Sequence, residues 1–181
     1  MARVRLARIM QGIKSARRRA GVEARSDRGD VVTGELAGKI RSVVAREEPR
    51  LRALSPESAA APRAAGKWSR AEVLGHLIDS AANNHQRFVR AQFTQTLIIP
   101  GYEQNRWVDA EGYAVEPWGE LIGLWAALNI HLAHVAERIP ASALSHSITV
   151  LGPDGLPGAP IHLEALVVDY LRHLEHHLGQ I

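Results

Sequence analysis

The sequence contains no cysteine. Disulfides, thiolate zinc sites and a cysteine nucleophile are therefore excluded, and the composition suits a reducing, cytoplasmic setting. It also lacks any apolar run near the ~18 residues that a membrane span needs, and its N-terminus has no uninterrupted apolar core of a secretory signal. No dinucleotide fingerprint, strand–helix alternation or internal repeat is present, which argues against an α/β nucleotide fold. Acidic residues are missing before Glu23. Residues 1–30 hold nine Lys or Arg against three acids, whereas residues 31–181 hold 13 basic and 16 acidic residues. The net +3 of the chain thus comes from a basic extension on a mildly acidic body. Such a body does not suit a nucleic-acid binder, which needs clustered Lys and Arg. The extension itself, with Arg17, Arg18 and Arg19, reads as an electrostatic arm, a transit segment or a dispensable start.

The remainder is ordinary globular material, 46% hydrophobic and 23% charged, long enough for one domain with a real core. Four amphipathic segments are predicted in it. The first runs over about 34–54, with Leu36, Ile40, Val43, Val44 and Leu51 as its stripe. A Ser55–Gly66 linker rich in Ala, Pro and Ser follows. Ser69 and Glu72 form a capping box that opens a second helix carrying Val73, Leu77, Ala81 and Phe88 on one face. Residues 98–116 read as a long loop with Tyr102 and Trp107, which line a cavity mouth or anchor the loop. Pro117 suits the first position of a third helix, whose seam is Leu121, Trp125, Leu128, Leu132, Val135 and Ile139. Pro140 stops it. Residues 141–160 are rich in Gly and Pro, with Ser147–Leu151 as a short hairpin strand. A last helix over about 161–180 turns Leu163, Leu166, Val167, Tyr170 and Leu174 inward. The expected fold is an all-α four-helix bundle with long connections after the second and third helices.

Nine histidines are present, and position matters more than number. His173 and His177 are four apart on one helix and share a face. At ~100° per residue they fall beside Leu166 and Tyr170, at the bundle interior or its rim. His76 falls at the edge of the Val73/Leu77 stripe. Three imidazoles converging from two helices suit Zn, Ni, Cu or Fe and leave positions for water or substrate. Hydrogen-bonded packing histidines are the plainer alternative. His176 points to the polar side, and His131 and His134 flank the third seam, outside the site. There is no HExxH, so a zincin protease is not supported: between His173 and His177 the acid, Glu175, stands in the wrong place. Asp79 and Asp169 are placed to orient an imidazole or to be solvated helix acids, and Arg87 and Arg90 to receive an anion or remain solvated.

Several stretches together resemble the DinB-like (damage-inducible B) superfamily of bacterial metal-binding bundles. They are Gly66–Ser69, Glu72–Ser80, Asn84–Phe88, Pro100–Tyr102 with Trp107, the Trp125 helix with Asn129–Leu132, and His173–His177 with Gln180 and Ile181. The resemblance covers residues 35–181 and leaves the extension out. It implies an up-down-down-up bundle, often a homodimer, with His76, His173 and His177 binding Zn or Ni. It further implies a transferase using an external low-molecular-weight thiol on a small-molecule substrate. A bundle that binds metal without catalysis, or a metal-dependent hydrolase, are the alternatives that it leaves.

Overall fold

The computed structural model describes residues 33–181, so the extension read from residues 1–30 lies outside the described residues. The long helices are α1 over 33–52, α3 Arg70–Ala91, α5 Trp118–Glu137 and α6 Leu163–Leu178. A short α2, Pro56–Ala60, interrupts the linker, with the Ser55 hydroxyl accepting from the Ser58 N–H at its start. The capping box at α3 forms as the sequence predicts. The Ser69 hydroxyl accepts from the Glu72 N–H at 3.2 Å, and the Glu72 carboxylate accepts from the Ser69 N–H at 2.6 Å.

Contacts between helix ends give the topology. The Trp118 indole at the start of α5 donates to Leu51 O at the end of α1. At the other end of the same pair, Arg41 of α1 meets Glu137 of α5. These two helices are antiparallel. Arg50, also near the end of α1, donates to Leu178 O at the end of α6, so α1 and α6 run together. His76 in the first half of α3 lies against His173 near the end of α6. The four helices are therefore up, down, down, up. The apolar stripes meet inside: Ile40, Leu51, Val73, Leu77, Phe88, Leu121, Trp125, Leu132 and Leu174 are all buried. Burying each larger side chain contributes roughly 1.5–3 kcal/mol. One polar link crosses this core, where the Tyr170 hydroxyl donates to Asn129 Oδ1 at 2.6 Å and Asn129 donates on to Trp125 O.

The long connections are more structured than the sequence suggests. Thr96–Pro100 is a strand, β1, that runs into the segment expected as loop, and Gln104–Glu111 is a helix, α4, inside it. α4 buries only Val108, which is too little to register as a periodic pattern. Ser147–Leu151 is a strand, β2, as expected. It pairs antiparallel with Ile161–His162, β3, and parallel with β1 on its other side. The last helix consequently begins at Leu163, two residues later than its pattern implied, and Pro117 is the N-cap of α5. Gly101 follows β1 directly, and its N–H donates to Leu151 O at 2.9 Å. A Cβ there would sit 2.6 Å from that carbonyl, so only glycine lets the chain run this close and turn Tyr102 inward. Among the described residues no helix is long and apolar enough to cross a membrane.

Candidate metal centre

His76, His173 and His177 come together where the first half of α3 faces the last turns of α6. Each offers a ring nitrogen, and those atoms lie within 4.8 Å of one another. The ring centroids are 5.1 Å apart for His76 and His173, 4.8 Å for His76 and His177, and 4.5 Å for His173 and His177. Burial, reinforced by the facing imidazoles of His173 and His177, holds the His76 pKa down to about 4. Burial and His177 do the same to His173, again to about 4. Burial also lowers that of His177. All three rings are therefore neutral at pH 7, with lone pairs to offer.

The arrangement fits a divalent ion. His76 Nε2 and His173 Nε2 face each other at 3.1 Å, and two imidazole nitrogens on one tetrahedral zinc, each ~2.0–2.1 Å from it, lie roughly 3.3 Å apart. Two neutral rings at that separation share either a proton or an ion. The third imidazole, brought up to the same spot, has no role in sharing a proton between the other two. Moreover His177 Nδ1 is buried without a hydrogen-bond partner among the described residues. A desolvated nitrogen of that kind is costly unless something binds there.

The floor is continued by a stripe on α3. His76, Ser80, Asn84 and Arg87 are spaced four, four and three, so they stand on one face. Ser80 Oγ lies 3.4 Å from His173 Nδ1. In the tautomer where that Nδ1–H donates to Ser80, the His173 Nε2 lone pair is turned to the cluster. Asn84 Nδ2 donates to Ser80 O at 2.9 Å, and Arg87 donates to Asn84 Oδ1 at 3.3 Å. Above the stripe opens a cavity of about 330 Å³, whose wall includes Tyr102, Glu103, Gln104, Asp169 and Tyr170 besides the stripe and His173. Burial, with the carboxylate of Asp79 nearby, pushes the Tyr102 phenol up to about 12, so it stands over the cavity as a neutral donor. Trp107 packs on Tyr102 with ring centroids 4.8 Å apart, outside the cavity wall. Of the two aromatic residues read as lining the mouth or anchoring the loop, Tyr102 lines the cavity and Trp107 packs on Tyr102.

The end of α6 is fixed by arginines that the sequence does not single out. Arg50 donates to Leu178 O, Arg63 to Gln180 O and Arg70 to Ile181 O. The first satisfies a carbonyl that the helix end leaves open, the other two hold the residues just beyond it, and all three place cations near its negative pole. They hold the His173/His177 turn against α3.

The two acids expected beside the histidines have other partners. Asp169 is exposed and pairs with Arg172 at 3.2 Å. Asp79 is buried under Tyr113, whose hydroxyl donates to its Oδ1 at 2.7 Å, while Oδ2 has no partner among the described residues. His176 is exposed and bonded to Gln180, and His131 and His134 are exposed on α5, all outside the cluster as expected. Arg90 bonds Gln86 on the outer face of α3.

Burial raises the Asp79 pKa to about 6 from an ordinary 3.8, although the Tyr113 hydrogen bond pulls it down. The native state then binds a proton more readily than the unfolded chain, so stability falls as pH rises from about 4 to about 6. In metal-free protein, Asp79→Asn should raise the melting temperature above pH 7, on the order of 2–3 kcal/mol in stability. Below about pH 4 the gain should vanish. Thermal melts of both proteins across that range check it, and a pH-independent difference would mean that Asp79 ionises normally.

Residues 41–181 match the family model described as the DinB superfamily. Among solved structures, YfiT from Bacillus subtilis, described as "a probable metal-dependent hydrolase with an unusual four-helix bundle topology", superposes with a TM-score of 0.64. The two share 20% identity over 86% of this chain and 83% of that one, a likeness that speaks for the fold. No curated protein matches the chain significantly. The family match takes in most of the chain, from the second half of α1 through the capping box and the His76 turn to the whole of α6. The chain belongs to the DinB superfamily.

Proposed function

We propose that the chain is a metal-dependent enzyme in which His76, His173 and His177 hold one divalent ion, zinc or nickel, and that it transfers an external low-molecular-weight thiol to a small electrophilic substrate. The observation that carries the reading is the convergence of three neutral imidazoles, two of which, His76 and His173, line a cavity large enough for a small molecule. Three protein ligands leave coordination positions free, as in catalytic zinc sites. An ion held there supplies Lewis acidity, which lowers the pKa of a thiol or water brought to it. With no cysteine in the chain, the thiol comes from outside. Its sulfur bonds to the electrophilic carbon, the leaving group departs with the bond pair, and the thiol proton passes to solvent.

The chain's own residues position these partners. Ser80, steadied by Asn84, sets the tautomer of His173. Tyr102, neutral at working pH, closes one side of the cavity and donates a hydrogen bond into it. The arginine clamp on the carbonyls of residues 178–181 keeps the α6 ligands in register with His76.

A second reading, a metal-dependent hydrolase, is favoured by the description of the solved relative YfiT. It needs water where the first needs a thiol. Zinc- or nickel-loaded protein should therefore be assayed on activated esters and on alkylating electrophiles, with and without mycothiol or bacillithiol. Turnover that requires the thiol supports the transferase. Ester cleavage without it shifts the reading to a hydrolase. Metal bound with no turnover in any arm leaves a metal-binding bundle without catalysis and defeats both.

A further inference from the structure

A second cavity of about 470 Å³ adjoins the first, and the two share Arg87 and Tyr102 in their walls. Beyond these two residues it is lined chiefly by apolar and backbone groups of β2 and the segment after it, among them Val150, Leu151, Pro153, Leu156 and Pro157. Leu156 is 65% exposed, a large aliphatic side chain left open on this wall. Arg87 thus stands at the waist between a polar chamber that ends on His76 and His173 and an apolar one.

The guanidinium there is poorly satisfied. It carries five N–H groups, and its hydrogen bonding among the described residues is one long contact to a neutral amide, Asn84 Oδ1 at 3.3 Å. Arg41, Arg46, Arg50, Arg52 and Arg172 all meet carboxylates. Arg63 and Arg70 meet carbonyls. A half-buried cation without a counter-charge is disfavoured unless a ligand completes it. The acids of the two walls do not fill that role. Asp169 pairs with Arg172, Asp154 accepts from the Leu156 N–H of its own turn, and Glu103 is exposed and forms no ion pair with Arg87. Tyr102, neutral and beside Arg87, adds a hydroxyl donor suited to an anion's oxygens.

We propose that Arg87, assisted by Tyr102, anchors a carboxylate or phosphate of the substrate, with the reacting end lying toward His76 and His173 and an apolar body in the chamber of Val150, Leu151 and Leu156. The inference rests on the proposed reading in taking the histidine end as the reacting end, and adds that the substrate is an amphiphilic anion. The Arg87 fork suits a two-point grip on either anion, which a lysine cannot reproduce.

Calorimetric titration of the full chain, metal-free and zinc-loaded, with straight-chain carboxylates and phosphonates of increasing length tests this. Amides and alcohols of equal length serve as neutral controls. Both anions should bind metal-free wild type, tightening with chain length, and the better of the two identifies the headgroup. Arg87→Gln should weaken anion binding about 10- to 100-fold, and Arg87→Lys should fall between. Leu156→Asn should remove the gain from chain length and leave the shortest anions unaffected. Zinc content, measured on the same samples, should be unchanged in all three variants. Failure of wild type to bind any anion would overturn the inference. So would Arg87→Gln binding as wild type does, or anion binding that appears only with zinc and ignores Arg87. Absence of zinc from wild type, with anion binding intact, would instead count against the metal reading alone.

Discussion

In the His173→Ala/His177→Ala variant, zinc no longer raises the melting temperature that it raises in the wild type. The expectation follows from linkage. A ligand that binds only the native state stabilises it by ~2.7 kcal/mol at one hundred times its dissociation constant, which for a domain of this size is roughly 5–10 °C. Two of the three nitrogens that would hold the ion come from α6, one turn apart. Loss even of a group that only supports a ligand lowers metal affinity ~10- to 100-fold, and loss of two ligands must exceed this. The metal-free variant should melt close to metal-free wild type, because both side chains are only half-buried and His173 lies against a cavity. That separates loss of metal from loss of fold. Elemental mass spectrometry should find about one ion per wild-type chain and none in the variant. Wild type that is well folded, is supplied with zinc and nickel, and still binds neither would make the histidines packing residues. The functional reading would fall with them.

What was legible in the sequence was what helix periodicity encodes. The Ser69/Glu72 capping box fixed the phase of α3, and from that phase both the buried Val73/Leu77 face and the position of His76 at its edge follow. The same reasoning put His173 and His177 on the inner side of α6 and left His176 outside. The stripe His76, Ser80, Asn84, Arg87 was equally readable by its spacing, although the sequence reading drew from it only His76 as a ligand and Arg87 as an anion site. Features that depend on partners distant in the chain were not readable. β1 and β2 are five residues each, and nothing local marks their parallel pairing. Asp79 stands at a helical position suited to support a histidine, yet its partner is Tyr113, from the turn after α4. The arginine clamp on α6 acts on backbone carbonyls, which leave no mark in a side-chain pattern.

The Tyr113 arrangement leads to the second large effect, because it requires a glycine in the middle of a helix. Gly75 lies within α3, where glycine destabilises by about 1 kcal/mol relative to alanine. On propensity alone, Gly75→Ala should therefore stabilise the protein. Packing reverses the sign. A Cβ at this position would lie 2.0 Å from Tyr113 Cδ2, 2.2 Å from Cγ and 2.5 Å from Cε2. The obstacle is the near end of a rigid ring that is itself only 4% exposed. The ring cannot yield without breaking its hydrogen bond to Asp79, which would leave that carboxylate with no partner on either oxygen. Overpacking of this sort costs about 1–3 kcal/mol, and stranding a buried acceptor adds about 1–3 kcal/mol. After the propensity gain is set against them, Gly75→Ala should lower stability by about 1–5 kcal/mol and the melting temperature by roughly 2–20 °C. Tyr113→Ala should cost less in the Gly75→Ala protein than in the wild type, since removing the ring removes the clash. The cycle should show a favourable coupling of about 1 kcal/mol or more between the two changes. A Gly75→Ala protein that melts at or above the wild-type temperature would show that α3 and the Tyr113 turn can separate freely. The glycine would then be a matter of helix propensity alone, and the seat of Asp79 under Tyr113 would not depend on it.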